Sequence, residues 1–173
     1  QVETGLLVGE QADADAQIRV FRGIPYAEPP VGLLRWRPPR NPLPWTGARE
    51  ATRFSASCVQ ERHTSSLVRR REDFAVSEDC LYLNVWSPAS AQKLPVMVWF
   101  HGGAHVSGQG HSLIFDGTRL AGEGVVLVTL NYRLGPLGFL AHPWLAAESE
   151  HQAAGNYGLL DKVAALEWVR DNI

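Results

Sequence analysis

The chain has 173 residues, with 16 Lys and Arg against 18 Asp and Glu, a net charge of −2. Hydrophobic residues make up 45% and charged ones 20%, the composition of a soluble globular protein and not of a disordered one. The near-neutral charge gives no basis for binding nucleic acid or an anionic membrane surface, and the apolar runs at 95–100 and 125–130 are too short to span a bilayer.

Residues 5–10 and 17–21 read as two short strands around a polar turn at 11–16, where Asp13 and Asp15 suit the bend because their side chains bond nearby N–H groups. From Gly23 to Asp79 periodicity is nearly lost, and prolines from Pro25 to Pro44 break any regular element in the first half of that stretch. A run of this length does not suit a compact small domain, so it is expected to lie across a scaffold larger than this chain. Regular structure returns at Cys80: Leu81, Leu83 and Val85 alternate with Tyr82, Asn84 and Trp86, the period of a strand. Residues 95–100 and 125–130 each read as a strand buried on both faces, joined by a crossover at 113–124 that holds a short helix. The last element, 159–173, is an amphipathic helix with Leu159, Val163, Leu166, Val169 and Ile173 on its core face. Strand, crossover, strand and helix imply an α/β sheet that is incomplete at Ile173, and a chain that starts at Gln1 reads as a processed or trimmed N-terminus.

The segment richest in chemistry is Phe100-His-Gly-Gly-Ala-His-Val-Ser-Gly108. It follows a buried strand, and so lies where open α/β sheets carry their sites. Gly102 and Gly103 permit backbone conformations closed to other residues, and such a loop can direct consecutive N–H groups at one developing oxyanion. His101, His105 and His111 have the spacing H-x3-H-x5-H, which invites a metal site. Gly102 and Gly103 oppose the helix that would put His101 and His105 on one face, and no cysteine is near enough in sequence to complete a structural zinc site. Loop histidines are the better reading, for His63, His142 and His151 as well, and neither a metal nor an organic cofactor is implied. Cys58 and Cys80 allow one bridge in an oxidising compartment, or two reduced thiols.

Several segments in order along the chain resemble the type-B carboxylesterase and cholinesterase family of the α/β-hydrolase fold. They are Phe21-Arg-Gly-Ile-Pro-Tyr-Ala27, Leu34-Arg-Trp-Arg-Pro-Pro39, Ser77-Glu-Asp-Cys-Leu-Tyr-Leu-Asn-Val-Trp86, the His-Gly-Gly-Ala loop, Asn131-Tyr-Arg-Leu-Gly-Pro-Leu-Gly-Phe-Leu140 and Gly155-Asn-Tyr-Gly-Leu-Leu-Asp161. The resemblance implies an α/β fold: the N-terminal portion of a single α/β-hydrolase domain, with a mixed, mostly parallel sheet and flanking helices, incomplete at residue 173. It implies a serine esterase working through an acyl-enzyme on a small-molecule carboxylic ester. Carried over by position, the oxyanion donors are the backbone N–H groups of Gly103 and Ala104, Gly102 shapes the loop, and His101 is structural. The family usually has an aromatic residue where His105 stands, so His105 becomes a candidate substrate contact. No serine here lies in a Gly-x-Ser-x-Gly turn, so the nucleophile, acid and histidine are expected beyond Ile173, in the C-terminal remainder of the same protein.

The same resemblance pairs Cys58 with Cys80, which argues for a secreted or periplasmic protein. It also pairs Arg35 with Glu78 and Arg133 with Asp161 as structural ion pairs. Between the cysteines, cholinesterases carry a tryptophan that binds quaternary ammonium; this chain has none there and carries Arg69, Arg70 and Arg71 beside Glu72 and Asp73, so choline esters are not the expected substrates. Catalytically inactive adhesion and scaffold proteins share the fold and are the alternative reading. A retained Gly103-Ala104 loop favours the enzyme.

Overall fold

The computed structural model describes residues 1–61, 75–90 and 93–173. His63, the three arginines 69–71, Glu72 and Asp73 lie outside the described residues. The strands in chain order are β1 (Leu6–Val8), β2 (Glu10–Ala12), β3 (Asp15–Pro25), β4 (Ala48–Glu50), β5 (Ser57–Cys58), β6 (Val76–Ser77), β7 (Tyr82–Pro88), β8 (Val96–Phe100) and β9 (Val126–Leu130). The helices are α1 (Thr118–Gly122), α2 (Gly135–Phe139), α3 (Pro143–Ala147) and α4 (Tyr157–Asn172).

The main sheet has the order β2-β3-β7-β9-β8 and is mixed: β8 and β9 are parallel, and the other three pairings are antiparallel. Its first hairpin closes where the sequence puts a polar turn, with the Asp15 carboxylate accepting from the Gln17 N–H at 2.9 Å. β3 runs past residue 21 to Pro25 through an irregularity between Phe21 and Ile24. Gly23, at φ +67°, makes that bend, and its N–H donates to the buried Asn84 side chain at 2.9 Å. The proline-rich stretch does lie across the sheet's surroundings: Trp36 Nε1 donates to the Pro136 carbonyl and Trp45 Nε1 to the Leu6 carbonyl, each at 2.9 Å.

Strand alternation splits the core in two. Leu83, Val85, Val128 and Leu130 face one way and meet Ala165, Trp168 and Val169 of α4, whereas Trp86 and Leu127 face the other way and meet Ala121 of α1. Each fully buried aliphatic side chain contributes about 1.5–3 kcal/mol. Among the described residues, no helix is long and apolar enough to cross a membrane.

Two expectations are corrected. β9 is buried throughout, whereas in β8 Val96, Met97 and Trp99 are 37%, 46% and 43% exposed; among the described residues β8 pairs with β9 alone, and no described element buries these three side chains. In α4 the stripe of Leu159, Val163, Leu166 and Ile173 points outward, and only Val169 of that set is buried. The inward face is Tyr157, Gly158, Asp161, Ala165, Trp168 and Val169. Asp161 must meet the Arg133 guanidinium, and a Cβ at Gly158 would sit 2.5 Å from the Arg133 carbonyl oxygen, so the face that carries Gly158 and Asp161 is the one that packs.

Candidate active site

The loop after β8 turns sharply. Gly103 has φ +119°, and a Cβ there would overlap the Ser107 carbonyl oxygen, so glycine is required. Its own carbonyl accepts from the N–H groups of Val106 at 3.0 Å and Ser107 at 3.1 Å, closing the turn. Ala104 and His105 follow at φ 52° and 62°, left-handed for two non-glycine residues in a row. Among the described residues, the N–H groups of Gly103 and Ala104 meet no protein acceptor, and both residues are exposed. Two adjacent free donors at the carboxyl end of a strand can stabilise negative charge growing on an oxygen. Gly102 is also exposed, and a Cβ there would meet nothing.

Both ends of the loop are tied to the scaffold. At the near end His101 is buried; its ring stacks on Tyr132 with centroids 4.4 Å apart, and the Tyr132 hydroxyl donates to the His101 carbonyl at 2.8 Å. Burial raises the pKa of that phenol. At the far end the Gln60 amide bonds Gly108 twice, its oxygen accepting from the Gly108 N–H and its nitrogen donating to the Gly108 carbonyl, both at 2.8 Å. Asn131 continues the support by accepting from the Gly110 N–H at 2.8 Å and donating to the Ala56 carbonyl at 3.0 Å. Sequence reasoning missed Gln60. Its one available signal is its place two residues after Cys58, which is joined to Cys80 by a disulfide.

His105 packs into the loop's support: its ring stacks on Phe139 at 4.6 Å, its Nε2 lies 3.2 Å from Lys162 Nζ, and its carbonyl accepts from the Gly135 N–H at 2.7 Å. His111 lies elsewhere, stacked on Phe54 at 5.4 Å with Nε2 3.3 Å from the Ser57 hydroxyl. The three histidines therefore do not converge, and among the described residues no three His, Cys, Asp or Glu side chains gather as metal ligands. His142 caps α3, its Nδ1 accepting from the Trp144 N–H at 3.3 Å, and His151 is exposed.

The four charged residues singled out by sequence form two pairs away from the loop's exposed donors. Arg35 grips Glu78 with two bonds of 2.6 Å, and this guanidinium holds the Glu78 carboxyl below its usual range. Arg133 Nε and Nη2 donate to Asp161 at 2.9 and 2.7 Å, and the Arg133 N–H adds a third bond at 3.0 Å. Burial pushes the Asp161 carboxyl up, and these bonds pull against it.

The family model described as the Carboxylesterase family matches residues 1–173. The chain is 48% identical over 173 residues to the fumonisin B1 esterase of Sphingopyxis macrogoltabida, covering 99% of this chain and 31% of that protein. It is 48% identical over 158 residues to the para-nitrobenzyl esterase of Bacillus subtilis (strain 168), covering 90% and 31% respectively. Among solved structures, a thermophilic PNB esterase superposes with a TM-score of 0.85 at 43% identity, covering 99% of this chain and 34% of that one. The chain thus spans about a third of the length of the relatives it matches. With a family match over every residue and the same α/β-hydrolase arrangement in the structure, the chain belongs to the carboxylesterase family.

Proposed function

We propose that this chain supplies the N-terminal sheet and the oxyanion loop of a serine esterase, as part of a single α/β-hydrolase domain that takes a small-molecule carboxylic ester. One observation carries the reading: the two unpartnered N–H groups of Gly103 and Ala104, on a turn that a side chain at Gly103 would destroy. In the complete enzyme, a serine from the remainder of the protein attacks the ester carbonyl carbon while a histidine of that remainder takes its proton and then passes it to the departing alcohol oxygen. The carbonyl oxygen takes up the electron pair, and the Gly103 and Ala104 N–H groups hold the resulting oxyanion. Collapse expels the alcohol and leaves an acyl-enzyme, which water then hydrolyses. A catalytically inactive scaffold has no use for a left-handed turn that leaves two adjacent N–H groups without acceptors among the described residues. The names of the relatives, fumonisin B1 esterase and para-nitrobenzyl esterase, agree with ester substrates of this class. The Cys58–Cys80 disulfide supports export to an oxidising compartment.

Gly103→Pro in the complete enzyme tests the reading. The substitution removes one donor and forces φ from +119° to the proline range. Turnover of p-nitrophenyl acetate is expected to fall at least about 100-fold while the protein remains folded by circular dichroism. Near-normal kcat would refute the oxyanion role.

A further inference from the structure

The left-handed Ala104-His105 turn is a conformation that non-glycine residues rarely adopt, and contacts from outside the loop add to the two bonds on the Gly103 carbonyl that close it. The Gly135 N–H holds the His105 carbonyl, and Phe139 holds its ring. The third contact comes from α4. Lys162 Nζ is 3.2 Å from His105 Nε2 and 4.0 Å from the centroid of the Tyr132 ring, against which the ammonium makes a cation–π contact. Lysine has only donors, so Nε2 is the acceptor in this contact. Among the described residues no carboxylate forms an ion pair with Lys162; the carboxylate beside it in sequence, Asp161, is committed to Arg133. Tyr132 in turn bonds the His101 carbonyl, so Lys162 joins both halves of the loop through one aromatic ring. Partial burial lowers the lysine's pKa, consistent with an ammonium set against rings and not in open water.

We infer that Lys162 is a positioning residue for the oxyanion loop: by donating to His105 Nε2 from its seat on Tyr132, it fixes the left-handed turn that presents the Gly103 and Ala104 N–H groups. This inference rests on the proposed oxyanion role of that loop. His105 then serves the loop's shape and is not a substrate contact.

The test uses the complete enzyme with p-nitrophenyl acetate and a trifluoromethyl ketone, whose hemiketal oxygen occupies the oxyanion position. Lys162→Met keeps the stem on Tyr132 and removes the donor. It is expected to lower kcat about tenfold with KM unchanged and to weaken the ketone by the same factor, since a loosened donor pair costs less than a lost one. Lys162→Arg, which still donates and still sits on the ring, is expected to recover most of the loss. His105→Phe keeps the ring stack and removes the acceptor, and in that background Lys162→Met is expected to change nothing further. Lys162→Gln, a weaker donor, is the second variant if Lys162→Met does not accumulate, and it is expected to fall between Lys162→Met and wild type. Unchanged kcat and ketone affinity in Lys162→Met, or the same loss with and without the His105 acceptor, would overturn the inference. The Gly103→Pro enzyme separates the two levels. If it is inactive while Lys162→Met is normal, only the role of Lys162 fails; if it turns over normally, the oxyanion reading fails and this inference with it.

Discussion

Asp161 has no exposed surface, yet it is a carboxylate, and three N–H groups of Arg133 close on it. Arg133 is itself 3% exposed and spends Nη1 on the Arg37 carbonyl at 2.8 Å. The pair fastens α4 to the segment after β9, the same segment whose Tyr132 supports the exposed loop. Asp161→Ala leaves a guanidinium buried without its counter-charge and is expected to cost about 3–5 kcal/mol in urea unfolding of the complete protein. Asp161→Asn, which keeps the shape and an acceptor, is expected to cost less. A loss under about 1 kcal/mol for the alanine variant would contradict the buried-pair account. At this scale the sequence was informative wherever chemistry is tied to one residue type: Gly103 could be read as a backbone requirement. The partner of Asp161, however, is implied by the family resemblance alone, since no local spacing links position 133 to 161.

The short strands β5 and β6 pair in parallel, and the disulfide joins β5 to the residues leading into β7. Gln60 hangs from this knot and grips Gly108, so the cross-link also supports the far end of the candidate oxyanion loop. Opening the bridge releases a loop with a sequence separation of 22 and is expected to cost about 3 kcal/mol in the chain-entropy model. Urea midpoints of the complete protein with and without reductant measure this, and a Cys58→Ser/Cys80→Ser variant should be insensitive to reductant. Identical midpoints for the oxidised and reduced protein would exclude the stabilising role. Element types were legible because period-2 and helical patterns are local; the neighbours of an element are not. β8 reads as a strand from its apolar run, but a run cannot say what covers each face, and among the described residues nothing buries Met97 and Trp99. α4 has two apolar stripes, and the regularly spaced aliphatic residues of the outer one, Leu159, Val163 and Leu166, draw attention away from the stripe that packs. What decides is Asp161 and the small Gly158 and Ala165, whose meaning depends on a partner far away in sequence.

Across the whole molecule the sheet is covered by α4 on one face and α1 on the other, and acid attacks this arrangement through a buried group beside the core. His111 is 2% exposed between Phe54 and Ser57. Burial, reinforced by the nearby charge of His101 and opposed by a hydrogen bond with Asn131, lowers its pKa from 6.5 to about 4. The unfolded chain takes up this proton near pH 6.5, and the folded chain resists until about pH 4, so the stabilisation is complete above 6.5 and is lost as pH falls through 4. The full difference is at most about 3 kcal/mol. The Arg35–Glu78 pair adds a second acid-sensitive contribution of the same sign. Because Glu78 is held below its ordinary value of 4.5, its contribution is lost at still lower pH. Between pH 6.5 and 4.5 His111 therefore contributes a decline toward acid, which the raised carboxyl of Asp161 opposes. Urea unfolding of the complete protein across that window should show stability falling toward acid in the wild type. A His111→Gln variant, less stable at pH 7 for loss of the ring stack, should have a flatter profile there. Parallel slopes in the two proteins would mean that His111 already carries its proton in the folded state.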